Sequence, residues 1–529
     1  MSSTSNITSE PVAVSADTQA FRTQMGHISR HSGVFFAGTM FTAAAGYLFK
    51  VYVARMLGAE ALGIFTLGMT MVGLLGIFSA MGLPQSAVRF VAFYKATGKT
   101  DALHSFMAHA IGLILAANIG LGILMLTAGP WVSEHLYHTR ELPKYLPLFA
   151  LLMFFGALNG FFGQVLQGYK DVSRRTVITN FVGTPLMMLL SVALISAGFG
   201  LRGYITAQVM SGNVVLSLLV VFVWRLTPPA ARHFRGKPSR IESQVVFFGA
   251  AVFGVGLLEF LLGQVDKVLI GAYINPREVG VYSVAMAIVA FVPVALQSVN
   301  QIFSPTIADL HARGEQELLG RLFQTLTKWI LGLTLPLAAV VMVFAKPLMQ
   351  MFGRDFEGGW IVLVIGTMGQ LINCAVGSVG YMLLMSGNQK RLVKIQSVMA
   401  FVVVALNLIL IPIWGILGAA IATAATNACS NIWYLREVKD ALNMSPFNRD
   451  YARLLAPALS VAGMAWFLRF ALRSATTPWI MVCLAIAICY ATLIVVSTMM
   501  GLGSDDRVVA NAIWRRLRDS FSRSAMDAK

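Results

Sequence analysis

The amino-acid sequence predicts an all-α integral membrane protein with about 14 transmembrane helices. The chain has 529 residues, of which 57% are hydrophobic and only 12% are charged, and its mean hydropathy is +0.72. Soluble proteins average about 25% charged residues. Apolar stretches of the length that spans a bilayer, about 20 residues, recur along the chain, and its two halves resemble each other. These observations predict two six-helix lobes in a parallel pseudo-twofold repeat, followed by an extra C-terminal helix pair.

The apolar stretches give the predicted helices in chain order. They cover 32–57, 61–83, 105–128, 145–167, 176–199, 202–224, 244–273, 279–303, 323–345, 359–385, 393–414, 416–436, 452–472 and 478–501. The first 25 residues are polar and lack the apolar core of a signal peptide. We therefore expect five parts: a disordered cytoplasmic N-terminus (1–31), an N-lobe of helices 1–6 (32–242), a C-lobe of helices 7–12 (243–440), helices 13 and 14 (441–503), and a basic amphipathic cytoplasmic tail (504–529).

The distribution of lysine and arginine predicts which ends of the helices face the cytoplasm. Of the 40 cations, 29 lie in the two termini and the even-numbered loops, eight lie in the odd-numbered loops, and three lie inside helices. Cytoplasmic loops carry the excess of positive charge in membrane proteins. We therefore expect both termini, and the loop that contains Arg232–Arg240, in the cytoplasm.

An internal repeat appears when the chain is compared with itself at a shift of 217 residues. The stretch GYLFKVYVARMLGAEALGIF (46–65) then falls on GQVDKVLIGAYINPREVGVY (263–282). The identical pairs are Phe36 and Phe253, Gly46 and Gly263, Lys50 and Lys267, Val51 and Val268, Gly63 and Gly280, Met69 and Met286, and Val72 and Val289. Each copy would hold six helices, an even number, so the copies would be parallel. The glycines at 46 and 263 predict close helix approach on the faces that carry the lysines.

The lysines at equivalent positions, Lys50 and Lys267, are the first candidates for a substrate site. A lysine at membrane depth is costly, roughly 2.5–3.5 kcal/mol on insertion scales. Lys50 lies about seven residues from its helix end, so one interpretation is an ammonium that reaches the headgroups. The same interpretation applies to Arg55, which is closer still to the end. The repeated position of the lysines favours a role inside a cavity between the lobes.

Two acidic residues, Glu259 and Asp266, lie on one face of predicted helix 7, seven residues apart. One interpretation is structural, a charge that neutralises the neighbouring Lys267. The other is functional, a relay for protons or sodium ions. The sequence leaves both open.

Several classes of site are excluded or disfavoured. The four cysteines all lie in apolar runs, which indicates packing rather than a disulfide framework or zinc site. Glu134, His135 and His138 form a short loop with too few ligands for a metal site. No phosphate-binding loop or nucleotide fingerprint occurs. We therefore expect no cofactor, no metal, no nucleic-acid partner and no enzymatic activity.

The segment ARMLGAEALGIFTLG (54–68) resembles the first loop of the polysaccharide and oligosaccharide flippases of the multidrug/oligosaccharidyl-lipid/polysaccharide exporter superfamily. In that family Ala-Arg-x-Leu-Gly precedes a Gly-x-Phe or Tyr-Gly-x-Phe pattern. The segments LQGYKDVSRR (166–175) and RGYITAQV (202–209) are also similar to the family. Leu62 departs from it, because the family often has tyrosine there.

The resemblance implies an alternating-access transporter in the bacterial inner membrane. It would carry a polyprenyl-diphosphate-linked oligosaccharide to the outer leaflet for exopolysaccharide, capsule or O-antigen synthesis. The family's central cavity is cationic, which would give Lys50, Lys267, Arg55 and Arg89 the role of neutralising the diphosphate. Partners implied are the lipid-linked oligosaccharide, membrane lipids, a polysaccharide polymerase and other export components.

Three alternatives remain at the level of sequence. A multidrug or organic-cation antiporter of the superfamily is disfavoured by the paired lysines. The lobes of such carriers usually bind organic cations with acidic or neutral side chains. A flippase for peptidoglycan lipid precursors also has fourteen helices, so the helix count does not separate it. A membrane glycosyltransferase or polymerase would usually need a large outer loop or an early acidic catalytic residue.

Overall fold

The computed structural model describes residues 16–229, 243–448, 451, 453–472 and 478–500, with side chains from residue 45 onward. Within these ranges the chain is helical and contains no strand. Residues 1–15, the loop of Arg232–Arg240 and the predicted amphipathic tail (504–529) lie outside the described residues.

In the first half, the part of the chain that the structure describes forms seven α-helices and two short π-helical stretches. The helices are α1 (Ala16–Ala80), α2 (Leu83–Ala96), α3 (Thr100–His135), α4 (Leu146–Gly168), α5 (Val172–Thr176), α6 (Thr184–Leu194) and α7 (Gly200–Leu226). The π-helical stretches, Val177–Gly183 and Ile195–Phe199, join α5 to α6 and α6 to α7. Since α1 begins at Ala16, residues 16–31 of the N-terminus expected to be disordered are helical.

The described residues of the second half form eleven α-helices. These are α8 (Ser243–Tyr273), α9 (Pro276–Val289), α10 (Val294–Arg313), α11 (Gln316–Val343), α12 (Ala345–Gln350), α13 (Trp360–Val376), α14 (Val379–Met385), α15 (Gln389–Trp414), α16 (Ile416–Leu442), α17 (Leu455–Ala471) and α18 (Pro478–Met499). Equivalent helices of the two halves begin at a separation close to the 217-residue shift found in the self-comparison of the sequence. Helices α7 and α16 each have 27 residues and begin at Gly200 and Ile416, and α3 and α11 begin at Thr100 and Gln316.

Glycines with positive φ mark the sharp breaks between apolar segments. Gly58 interrupts α1 with φ +79° and ψ 176°, between the predicted first and second helices. Gly198 and Gly200 separate α6 from α7, and Gly415 separates α15 from α16, with φ values of +88°, +52° and +60°. Only glycine adopts this region without a steric cost. These breaks therefore lie where the sequence predicted helix ends.

Among the described residues, nine apolar helical segments are long enough to cross a membrane, or ten if one bent pair counts as a single span. The predicted count of about fourteen is not confirmed. One of the nine, Ala45–Ala96, has 52 residues and contains the break at Gly58. A straight helix of that length would extend about 78 Å, more than twice the roughly 30 Å hydrocarbon thickness.

Two predicted spans are wrong in their continuity. The span expected at 279–303 is divided into α9 and α10, which are bent by 54° at residues 290–293. Pro293 stands before α10 and cannot donate a helical hydrogen bond. The span expected at 359–385 is divided at Gly377, where φ is +70°. The hydropathy pattern predicts neither break, because the residues on both sides of each break are apolar.

The chain divides into two compact units. Unit 1 contains Met1–Lys50, Gly76–Ile123 and Ala150–Phe253, and unit 2 contains Val51–Leu75, Leu124–Phe149 and Gly254–Lys529. A cluster of buried side chains from α2, α3, α4 and α7, with Phe161 and Val165 fully buried, forms the core of unit 1. Phe323, Met382 and Val438 belong to a core of unit 2. This division differs from the predicted lobes at 32–242 and 243–440, which remain predictions.

Candidate functional site

The predicted cationic residues are distributed over both units. Lys50 and Arg89 belong to unit 1, whereas Lys267 and Arg55 belong to unit 2. Lys50 and Arg89 are exposed. The guanidinium of Arg89 lies 5.5 Å from the ring centre of Phe90 and 5.1 Å from that of Phe248, within the range of a cation–π contact. A common cavity formed by all four cations remains a prediction.

Arg55 has a structural contact in unit 2. Its Nε donates a hydrogen bond of 2.7 Å to the backbone carbonyl of Met351, just after the end of α12. The carbonyls at a helix C-terminus lack partners inside the helix, and a cation there is favourable. This contact accounts for an arginine at position 55 without a substrate, so Arg55 is the weakest of the four candidates.

The two acidic residues of α8 differ in their surroundings. Glu259 is exposed, whereas Asp266 is only 5% exposed. One oxygen of Asp266 accepts a 2.6 Å hydrogen bond from the hydroxyl of Tyr282, and the other accepts a 2.8 Å bond from the backbone N–H of Lys267. Tyr282 on α9 is fully buried. The two donors hold this carboxylate in one orientation between α8 and α9.

The ammonium of Lys267 has a different partner. Its Nζ donates a 2.7 Å hydrogen bond to Oε1 of Gln264, three residues earlier on α8. The amide adds no negative charge, whereas the carboxylate of the neighbouring Asp266 interacts electrostatically with the lysine. Sequence reasoning missed Gln264 and Tyr282, although the spacing of three residues on a helix could have indicated Gln264.

Among the described residues, the glycines that were expected to allow close approach have no close neighbour. A β carbon added to Gly46 or to Gly263 would meet no described atom within 4 Å. The close approach is instead at Gly63 and Gly280, another pair of the same repeat. A β carbon on Gly63 would overlap the carbonyl oxygen of Pro276, and one on Gly280 would overlap that of Ala59. Helical periodicity predicts the face of the helix on which a glycine lies. It does not predict which other helix packs against that face.

Unit 2 also contains a polar cavity of about 440 Å³ that the sequence analysis did not predict. It lies beside the two helix breaks, between α9 and α10 and between α13 and α14. Six amide side chains line it: Gln297, Asn300, Gln370, Asn373, Asn427 and Asn431. They come from three helices, α10, α13 and α16, with two from each. The spacing of three or four residues within each pair was the available signal, but no pattern showed that the pairs converge.

Together, the apolar helices define a multi-pass, all-α membrane protein whose described residues contain no group of three or more metal-binding side chains. Known proteins with similar folds are transporters. The solved structure of the lipid II flippase MurJ in an inward-closed conformation superposes with a TM-score of 0.67 at 14% identity, over 88% of this chain and 98% of that chain. A multidrug resistance transporter of the MATE family, in an inward-facing conformation, gives a TM-score of 0.59 at 16% identity, over 76% and 95%.

The family follows from the sequence comparison. The profile of the family described as "Polysaccharide biosynthesis protein" matches residues 52–358, more than half of the chain. The chain therefore belongs to this family, and the predicted resemblance to the polysaccharide flippases of the exporter superfamily is confirmed. One relative is the "Probable low-salt glycan biosynthesis flippase Agl15" of Haloferax volcanii, 24% identical over 409 residues, which are 77% of this chain and 82% of the relative.

Proposed function

We propose that this protein flips a polyprenyl-diphosphate-linked oligosaccharide from the inner to the outer leaflet of the bacterial inner membrane. The glycan would serve the synthesis of a cell-surface polysaccharide. The observation that carries the proposal is the family match over residues 52–358. The glycan biosynthesis flippase among the relatives supports the same substrate class.

The side chains suit a substrate of this chemistry. A diphosphate carries negative charge that is costly to bring into a membrane, and a cation of fixed geometry offsets that cost most where water is scarce. Lys267 donates its 2.7 Å hydrogen bond to the neutral amide of Gln264, which positions its ammonium. Lys50 is its equivalent in the repeat and is exposed. In this mechanism the two lysines hold the diphosphate in turn during alternating access.

The orientation proposed for the chain has both termini in the cytoplasm, as the distribution of cations predicts. A polysaccharide polymerase and other export components would then receive the glycan on the outer side. The coupling ion would act at Asp266, whose carboxylate is buried and held by Tyr282.

Two other activities in the superfamily are the competing hypotheses. Fold likeness at 14–16% identity applies equally to a lipid II flippase and to a multidrug transporter, so it does not choose between them. An organic cation would be repelled by the paired lysines. The cationic site would serve a peptidoglycan precursor equally well. The family match and the glycan biosynthesis flippase among the relatives are what favour a polysaccharide unit.

A deletion strain of the source bacterium separates these activities. We expect loss of one surface polysaccharide and accumulation of its polyprenyl-diphosphate oligosaccharide in the membrane, measured by mass spectrometry of extracted lipids. Expression of the wild-type chain should restore both. Normal polysaccharide with greater drug sensitivity would replace the proposal with drug efflux. Accumulation of peptidoglycan precursor alone would replace it with precursor flipping.

A further inference from the structure

The amide-lined cavity of unit 2 has the character of a ligand site. Its volume of about 440 Å³ falls within the range of about 300–1,000 Å³ that is usual for small-molecule sites. It lies where helix hydrogen bonding is interrupted, beside the 54° bend between α9 and α10 and beside Gly377. Interrupted helices in transporters commonly line substrate or ion sites.

The lining is polar but carries no ionisable charge. Among the fourteen described residues that line the cavity, none is Asp, Glu, Lys, Arg or His. The six amides each offer both a donor and an acceptor. Tyr381 and Tyr434, both half-buried, add aromatic rings with hydroxyl groups. The lining holds no full charge to pair with a phosphate or an organic cation, whereas a molecule with many uncharged hydroxyls finds both donors and acceptors in it.

Two buried polar atoms in the lining lack a hydrogen-bond partner among the described residues. They are Oδ1 of Asn300, whose residue is 8% exposed, and Oγ of Ser378, whose residue is 3% exposed. A buried polar atom without a partner destabilises the protein, because it has lost its hydrogen bonds to water. An occupant of the cavity that offers a hydroxyl to each would remove this destabilisation. Both atoms belong to residues of the cavity lining, so a ligand with hydroxyl groups is chemically compatible with them.

Other amides of the lining are held in place by contacts with each other. Nδ2 of Asn431 donates to both oxygens of Asn427, at 2.9 Å each, and Nδ2 of Asn373 donates to Oε1 of Gln370 at 3.1 Å. These bonds fix the planes of the amides before a ligand arrives. Preorganised groups lose less conformational entropy when they bind.

We propose that this cavity binds a neutral saccharide unit, the glycan part of the lipid-linked substrate. The inference rests on the proposed function but concerns different residues and a different part of the substrate. The lysines would hold the diphosphate, and the amides of unit 2 would recognise the hydroxyls of the sugar. The cavity would thus contribute to selection of the glycan.

The test measures binding to the full-length purified protein in lipid nanodiscs. Three probes are used: the polyprenyl-diphosphate oligosaccharide fraction extracted from membranes of the source bacterium, the free oligosaccharide released from that fraction by mild acid, and undecaprenyl diphosphate without sugar. Asn300→Leu removes the unpaired oxygen with little change of size. Gly380→Leu fills the cavity, since a β carbon at Gly380 would meet no described atom within 4 Å.

Matched controls exist in the same unit. Asn407 on α15 is buried and has an unpaired Oδ1, as Asn300 does, but it does not line the cavity. Gly463 on α17 is also open to a β carbon and lies outside the lining. Asn407→Leu and Gly463→Leu therefore reproduce the chemical changes elsewhere. All variants are compared by size-exclusion profile and melting temperature before binding is measured.

We expect Asn300→Leu and Gly380→Leu to weaken binding of the free oligosaccharide by about tenfold or more, with both controls close to wild type. Binding of undecaprenyl diphosphate should stay unchanged in all variants. If the lipid-linked fraction binds but the free oligosaccharide binds all variants equally, the cavity proposal fails and the flippase proposal stands. Weaker binding of undecaprenyl diphosphate in the two cavity variants would assign the cavity to the lipid diphosphate instead. If no probe binds the wild type, the proposed function fails, and this inference with it.

Discussion

Gly63 and Gly280 lie 217 residues apart in the sequence and face each other at one helix crossing of unit 2. A β carbon on Gly63 would be 3.1 Å from the backbone nitrogen of Gly280, and one on Gly280 would be 3.0 Å from that of Gly63. Equivalent residues of a twofold repeat can contact each other only where the axis passes between them. The crossing of α1 and α9 is therefore where the axis of the predicted parallel repeat would lie.

This crossing predicts a strong effect of the smallest possible side chain. Gly63→Ala or Gly280→Ala would place a methyl group into the backbone of the other helix, and overpacking of this kind typically costs 1–3 kcal/mol. We expect each variant to lower the melting temperature of the purified protein by several degrees. The control is Gly263→Ala, because a β carbon there meets no described atom within 4 Å. Equal stability of Gly63→Ala and Gly263→Ala would contradict the close crossing.

The buried pair of Asp266 and Tyr282 gives a second prediction. If Asp266 is the coupling group, Asp266→Asn should leave the protein in the membrane but remove the dependence of transport on the proton or sodium gradient. Tyr282→Phe should weaken that dependence, because it removes a 2.6 Å hydrogen bond from the carboxylate. The measurement is transport into vesicles with and without each imposed gradient.

Glu259→Gln is the matched comparison for this experiment, since Glu259 is on the same helix but exposed. We expect it to behave like the wild type. A requirement for Glu259 as well would indicate a two-carboxylate relay along α8. Failure of Asp266→Asn to accumulate in the membrane, with Tyr282→Phe still fully coupled, would instead make the carboxylate a structural partner.

The orientation of the chain is open to a direct test. Reporter fusions after Lys99 and Lys170 should indicate the cytoplasm, and a fusion after Arg140 should indicate the opposite side. The expectation follows from the excess of cations in the even-numbered loops. Lys99 precedes α3, Arg140 follows it, and Lys170 follows α4. A signal from outside at Lys170 would contradict both the topology and the parallel repeat.

The sequence predicted the positions of several sharp helix breaks. Positive-φ glycines such as Gly58 and Gly415 mark breaks at predicted helix ends, because other residues are strained there. The equivalence of Gly63 and Gly280 was visible in the self-comparison, but the close approach was expected at Gly46 and Gly263. Identical residues at a repeat position show that the two positions are equivalent. Whether the two residues touch depends on where their helices cross, and a local stretch of sequence does not determine that crossing.

The cavity illustrates the same limit for the site. Asn427 and Asn431 are one helical turn apart and form a recognisable polar stripe on α16. Asn300 and Gln370 belong to other helices, and their convergence depends on the bend at residues 290–293. The residues at that bend are apolar, so the hydropathy pattern predicted an uninterrupted helix there. The sequence therefore predicted neither the break nor the cavity beside it.

The lysines provide the most direct test of the cationic site. Lys50→Ala and Lys267→Ala should each reduce export of the lipid-linked glycan at least about tenfold, since an ion pair with a diphosphate away from water contributes more than 1.4 kcal/mol. Lys50→Arg and Lys267→Arg should retain part of the activity, because a cation remains. Protein levels in the membrane should be near normal for all four. The measurement is the ratio of surface polysaccharide to accumulated lipid-linked oligosaccharide in the complemented deletion strain.

Two controls distinguish a substrate site from a lysine that only reaches the headgroups. Lys439→Ala removes an exposed lysine from the last turn of α16 and should leave export unchanged. A single cysteine at position 50, in a chain whose four native cysteines are replaced by serine, should react with a membrane-impermeant thiol reagent from one side. A cysteine at 50 that is closed from both sides, together with a fully active Lys50→Ala variant, would exclude Lys50 from the substrate path. Lys267, Arg89 and Arg55 would then remain as candidates, and the hydrogen bond of Lys267 to Gln264 positions its ammonium regardless of Lys50.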